Sequence, residues 1–346
     1  MPYFRNKGRR SSDIFGRIAA AAAALLTAVC LSSCQMTEIP EREVIHETEV
    51  PPAMLFLGDS IAAGYGLDGY AADDYYHCPS YSNILKDRYT EELEGKCGHT
   101  MVNKAVSGYT SQDFIDQLRS GELDEDLSGS DAVIVSIGGN DLLDIMLGLF
   151  QSLGVDDKGS FNSDGLDLFS AASLFFSMDK DVDAALEQFD KNMDIISQEI
   201  LSRTEGQVYF QTLYDPLEYY TEFSMVTDFS GKKIGRLNSI IKSHSASGYK
   251  VIDVAAKFSG KAEELTNISD LDIHPNAEGH KVIAEAVDRA FRETGFTYTT
   301  TELGEKRLTN VGRSVIIGSS AGAVALLIVI TAAVCIIVRR KKKDTE

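Results

Sequence analysis

Four residues whose types could serve acyl chemistry stand along this chain: a serine, a glycine, an asparagine and a histidine. Ser60 closes Gly58-Asp59-Ser60. A serine at a strand-to-helix turn exposes its hydroxyl and sets its backbone N–H near a helix N-terminus, where negative charge is stabilised. Gly108 lies in Asn103-Lys104-Ala105-Val106-Ser107-Gly108-Tyr109-Thr110, where the missing side chain lets the backbone N–H approach a ligand. Asn140 lies in Gly138-Gly139-Asn140-Asp141, and its amide can donate to a developing oxyanion. His274 lies in Asp270-Leu271-Asp272-Ile273-His274-Pro275-Asn276, just ahead of a proline suited to a helix's first turn. Hydroxyl, imidazole and carboxylate together make a nucleophile, its general base and the group that fixes the base's tautomer. Each fragment alone is equally an ordinary cap, turn or loop.

The apolar runs that must position these residues are Met54–Leu57, Met101–Asn103, Ala132–Ile137, Val208–Leu213 and Val251–Val254. Helical spacing separates them, clearest over Asp181–Ser202 and Asn276–Arg292. Strands alternating with helices predict an α/β fold with a parallel sheet covered on both faces. In such folds ligands bind at the carboxyl ends of the strands, which is where the four fragments fall.

Taken in order, the blocks FLGDSIAAGYG, NKAVSGYTS, IGGNDL and DIHPNAEGH resemble those of the SGNH hydrolases, the GDSL esterase/lipase family. The resemblance spans residues 53–296. It implies a flavodoxin-like three-layer α/β/α fold and hydrolysis of carboxylic esters, with Ser60 as nucleophile and His274 as general base. It further implies an oxyanion hole from the N–H groups of Ser60 and Gly108 and the side chain of Asn140. The family's usual aspartate, three residues before the histidine, is Leu271 here. Asp272 is the expected partner of His274, with Asp270 as the alternative. That displacement keeps open a non-catalytic binding module on the same fold. Acyl transfer to an alcohol by the same site is the other alternative. No cofactor or metal is expected. The substrate is expected to be a small-molecule, lipid or acylated-carbohydrate ester.

Two further motifs are decoys. Gly64-Tyr65-Gly66-Leu67-Asp68-Gly69 matches G-x-G-x-x-G, but Gly58-Asp59-Ser60 already occupies the place directly after the strand that a dinucleotide loop needs. Gly318-Ser319-Ser320-Ala321-Gly322 matches G-x-S-x-G with no strand before it. Cys78 and Cys97, the cysteines of the domain, are expected to bridge in an oxidising exterior. Residues 142–180 are either a lid or acyl-chain wall, or ordinary helix packing plus a long loop.

The ends read as addresses. Residues 1–34 carry Arg5, Lys7, Arg9, Arg10 and Arg17, then an apolar run to Leu31-Ser32-Ser33-Cys34. This is a signal-peptide pattern, and its end resembles a bacterial lipobox with Cys34 as the lipidated residue. Residues 35–52 and 297–313 read as a polar tether and a polar linker around the 53–296 domain. Residues 314–338 are uncharged, are followed by the basic tail 339–346, and predict a transmembrane helix. The expected location is therefore the cell membrane, anchored through that helix, with the catalytic domain on the extracellular side. With 52 acidic against 33 basic residues the net charge is −19, which repels phosphate backbones and argues against nucleic-acid binding.

Overall fold

The computed structural model describes residues 36–72, 74–143, 145 and 168–343. Two compact units are present: Ile45–Tyr298, and a second formed by the described residues up to Val44 and from Thr299.

The larger unit is built on five strands: β1 (Ala53–Gly58), β2 (Thr100–Asn103), β3 (Ala132–Ser136), β4 (Gln207–Gln211) and β5 (Lys250–Ile252). All neighbours are parallel, in the order β2-β1-β3-β4-β5. The order reverses between β1 and β3, and the crevice at such a switch point is where doubly wound folds place ligands. The strands fall where the apolar runs predict, because a strand buried on both faces has no polar face to show.

Side chains alternate between two cores. Leu55 and Leu57 of β1, Val133 and Val135 of β3, and Val208 and Phe210 of β4 enter one cluster. Met54 and Phe56, Ala132 and Ile134, and Tyr209 enter the other. The first face is covered by α3 (Ser111–Ser120), α4 (Leu168–Leu201) and α5 (Ser224–Ser243), through Phe114, Phe189, Ile196 and Leu237 among others. The second is covered by α2 (Tyr81–Glu92) and α6 (Ala277–Arg292), through Tyr81, Leu85, Ile283 and Val287. The result is the expected three-layer α/β arrangement. Each fully buried aliphatic or aromatic side chain contributes roughly 1.5–3 kcal/mol of transfer free energy.

The segments read as polar tethers hold strands. Glu41–Thr48 pairs with Phe296–Leu303, and both alternate between half-buried and exposed positions. Within the larger unit His46 stacks on Tyr298 with ring centroids 4.9 Å apart. Within the smaller unit Thr37–Glu38 pairs antiparallel with Arg307–Leu308. It also contains the helix Asn310–Lys343.

Three expectations about the ends and the cysteines meet the structure differently. First, among the described residues no helix is long and apolar enough to cross a membrane. That overturns the transmembrane helix expected over 314–338, and with it the single-span membrane location and the membrane contact through that helix. The expectation rested on a run of 25 uncharged residues, long enough to span, with a basic cluster directly after it. Ser314, Gly318, Ser319, Ser320, Gly322 and Thr331 interrupt the run, and Ser319 and Ser320 donate their hydroxyls to the Ile316 carbonyl. The side chains of 323, 326, 329–330, 333–334 and 336–338 lie outside the description. Second, no disulfide joins Cys78 to Cys97. The twelve residues of α2 stand between them. Cys78 precedes this helix with its Sγ against Gly64, whereas Cys97 follows its other end, packed on the second core cluster. Third, residues 1–34 with Cys34, and most of 142–167, lie outside the described residues.

Candidate active site

Ser60 is the first residue of a one-turn helix, α1 (Ser60–Ala63). Asp59 caps it, its carboxylate accepting from Ile61 N at 3.1 Å. Gly58 makes the turn feasible. It sits at φ +119, and a Cβ there would lie 1.8 Å from the Ser136 carbonyl oxygen of β3. Only glycine lets the chain leave β1 this closely against its neighbour and turn the serine to the carboxyl rim.

The Gly108 loop is fastened to that turn by Asn103 at the end of β2. Its Nδ2 donates to the Ala62 carbonyl at 2.8 Å, and its Oδ1 accepts from Ala105 N at 3.0 Å. Val106 N donates to Gly58 O at 2.9 Å. Gly108 then adopts φ +88, exposed, with open space where a Cβ would stand. Asn140 follows β3, and its Nδ2 donates to the Tyr109 carbonyl at 2.9 Å, joining the third loop to the second. Asp141 does not cap its own helix. Its carboxylate accepts from the backbone N–H of Ser111 at 2.9 Å and from that residue's hydroxyl, tying the Asn140 loop to the start of α3.

His274 lies at the far end of the rim. The helix α6 starts later than the sequence suggests: Asn276 is its cap, accepting from Gly279 N at 3.0 Å, so Pro275 precedes the cap instead of opening the helix. The His274 loop is held by Asn267 N donating to the His274 carbonyl at 2.9 Å and by the Tyr214 hydroxyl donating to the Ile273 carbonyl at 2.7 Å.

The ring closes the constellation. His274 Nδ1 lies 2.5 Å from Asp272 Oδ1, and Nε2 lies 2.9 Å from Ser60 Oγ. A carboxylate at Nδ1 fixes the proton there and leaves Nε2 as acceptor for the serine hydroxyl. Asp272 Oδ1 also accepts from His274 N at 3.1 Å, so the two residues form a local loop within one turn of chain. Leu271, in the position usual for the aspartate, takes the left-handed conformation with φ +60 and points to solvent. Asp270 is exposed, and it is Asp272 whose carboxylate reaches the imidazole. Ser60, Asp272 and His274 are thus brought together.

Electrostatics separate the carboxylates. Burial works to raise Asp272, but the hydrogen bonds from the His274 ring and backbone, the charge of that ring and the Asn267 side chain outweigh it and hold the carboxyl below its ordinary range. Asp59 is pushed up to about 7, chiefly by burial, with Asp141 adding like-charge repulsion; the Ile61 and Gly139 N–H groups work against the rise. Behind the site His280 is fully buried, accepts from Tyr81 N on Nδ1 at 3.2 Å, and is driven down to about 3 by burial. Sequence reasoning passed over Asp59, Tyr214 and Asn267. Asp59 was legible as the central letter of the Gly-Asp-Ser block; the other two carry no local signal.

A small apolar cavity of about 80 Å³ opens beside the site. Its walls include Ile61, Gly139 and Ile273, each next in sequence to Ser60, Asn140 or His274, together with Leu142, Leu213 and Pro216. A larger groove of about 820 Å³, bordered by Glu47, Asp131, Glu205 and Gln207, holds none of the site residues. Among the described residues no group of three or more His, Cys, Asp or Glu side chains is arranged to hold a metal ion.

Comparison with known proteins gives a consistent picture. Residues 56–282 match the model of the GDSL-like lipase/acylhydrolase family. An uncharacterised Bacillus subtilis (strain 168) protein, YpmR, is 23% identical over 280 residues, covering 78% of this chain and 93% of that one. Among solved structures, the lipase Lip_vut3 from a goat rumen metagenome is 21% identical with a TM-score of 0.50, covering 69% of this chain and 96% of its own. An extracellular lipase from Streptomyces rimosus is 18% identical at the same TM-score, covering 69% and 99%. At these identities the two lipases speak for the fold.

Proposed function

Since the chain belongs to the GDSL-like lipase/acylhydrolase family, we propose that it is a serine hydrolase of carboxylic esters with Ser60 as nucleophile. The observation that carries this reading is the unbroken line from Asp272 through His274 to the Ser60 hydroxyl, at 2.5 and 2.9 Å.

In this reading Ser60 Oγ attacks the ester carbonyl carbon while its proton passes to His274 Nε2. The carbonyl π pair moves onto oxygen and makes a tetrahedral oxyanion. That charge is received by the N–H groups of Ser60 and Gly108 and the Asn140 amide, whose second N–H is left after the bond to Tyr109. The C–O bond to the alcohol then breaks, and Nε2 returns the proton to the leaving oxygen. Water repeats the sequence on the acyl-enzyme and frees Ser60. Asp272 holds the imidazole in the correct tautomer and offsets its positive charge in the transition state.

The apolar cavity suits the acyl half. The experiment is hydrolysis of p-nitrophenyl esters of graded length, with fluorophosphonate labelling. Turnover of these esters, and labelling lost in Ser60→Ala, are expected. A wild-type protein that neither turns over these esters nor takes the label overturns the reading.

A further inference from the structure

The Gly64-Tyr65-Gly66 segment, the front of the G-x-G-x-x-G match, follows α1 directly and folds back over the His274 loop. Gly64 and Gly66 both sit in the left-handed region, at φ +83 and +87. The space beside each is already filled. A Cβ on Gly64 would lie 2.9 Å from Ser80 Cβ and 3.0 Å from Cys78 Sγ, and one on Gly66 would lie 3.0 Å from Asp272 Oδ2 and 3.3 Å from His274 Cβ. The turn is therefore pressed against the Asp272–His274 pair. Between the glycines, Tyr65 lays its ring 4.7 Å from the His274 imidazole, centroid to centroid, and meets Tyr70 edge-on at 5.4 Å. Tyr65 is nevertheless 43% exposed. A large aromatic side chain fixed at both flanks, touching the general base and still open to solvent, is a surface waiting for an apolar partner.

Chemistry says which part of a substrate meets it. The alcohol oxygen must come within hydrogen-bond reach of the imidazole nitrogen that protonates it. The alcohol half is thereby carried alongside His274, while the cavity beyond Ile61 and Ile273 takes the other half. We infer that Tyr65 is the alcohol-side wall of the site and a specificity-determining residue, and that the preferred substrates are esters whose alcohol presents a flat ring face to it. The inference rests on the esterase reading above and adds the alcohol half to it. An aryl ring and the C–H face of a sugar ring share this chemistry.

The test compares three butanoate esters, of ethanol, of benzyl alcohol and of the 6-hydroxyl of methyl glucoside, in wild type, Tyr65→Ala and Tyr65→Phe. The wild type is expected to prefer a ring-bearing ester, and whichever of benzyl or glucosyl leads identifies the source of the ring. Tyr65→Ala is expected to lower the kcat/KM ratio of that ester to the ethyl ester by about tenfold, mainly through KM, as the loss of one ring contact would. Tyr65→Phe keeps the ratio within about threefold, because it keeps the ring. A ratio in Tyr65→Ala equal to wild type overturns the wall, and so does an equal fall for all three esters, which is the mark of a merely displaced His274. Loss of the ratio in Tyr65→Phe transfers the effect to the hydroxyl and also overturns it. A wild type that hydrolyses none of the three and escapes fluorophosphonate labelling defeats the esterase reading, and the wall falls with it.

Discussion

At the residue scale the site is a set of short bonds whose removal has separable consequences. Asn140→Ala deletes one proposed oxyanion donor and is expected to lower kcat by about 10²–10³ with little change in KM, measured on a short-chain ester. Asp272→Asn keeps the shape but offers the imidazole the wrong partner, and a fall in kcat of at least about a hundredfold is expected. Asp270→Asn, at an exposed carboxylate with no bond to the ring, is expected to stay within about threefold. Equal losses in the two aspartate variants would dissociate the reading from the geometry. The sequence named Ser60, Gly108, Asn140 and His274 because each stands in one of four blocks that together resemble the family's, the first three just after a strand. It favoured Asp272 and left Asp270 open, since the choice depends on Leu271 entering the left-handed region, a local departure that leucine does not advertise.

At the scale of elements the fold depends on close approach between β1 and β3. Gly58→Ala would set a methyl group against the Ser136 carbonyl at 1.8 Å while holding alanine at φ +119. A loss of about 3 kcal/mol or more of folding free energy is expected in urea titration, and a change below about 1 kcal/mol would contradict the packing described. The five sheet strands were legible because burial on both faces leaves continuous apolar runs. The outer strands were not: Glu41–Thr48 and Phe296–Leu303 are rich in threonine and charge, and such composition reads as tether when no partner is in view. The proposed cysteine bridge failed for a related reason. Pairing by elimination says nothing of where each thiol packs, which only the fold supplies. Tyr65 was hidden by a motif that names dinucleotide loops and says nothing of a glycine turn folded over an imidazole.

At the scale of the whole molecule two buried groups oppose each other across pH. Asp59 holds its proton in the folded state to about 7, whereas an unfolded aspartate releases it near 3.8. Between those values the folded state binds more protons, so Asp59 makes stability fall as pH rises. His280 behaves oppositely. Unfolded, it takes a proton near 6.5; folded, it refuses one down to about 3, so stability falls as pH drops through that window. Each effect is on the order of a few kcal/mol. Asp59→Asn is expected to gain stability relative to wild type between pH 4 and pH 8, and His280→Gln to gain it between pH 7 and pH 4. Both are read from urea midpoints at those pH values, and a wild-type difference that does not change with pH would refute the assignment.

The tight turn that binds His274 to Asp272 through both ring and backbone has a mechanical corollary. The two travel as one cartridge. Any breathing of the rim that draws the imidazole away from Ser60 carries its carboxylate with it, so an opened site keeps its base tuned and has a single gap to close before it can fire.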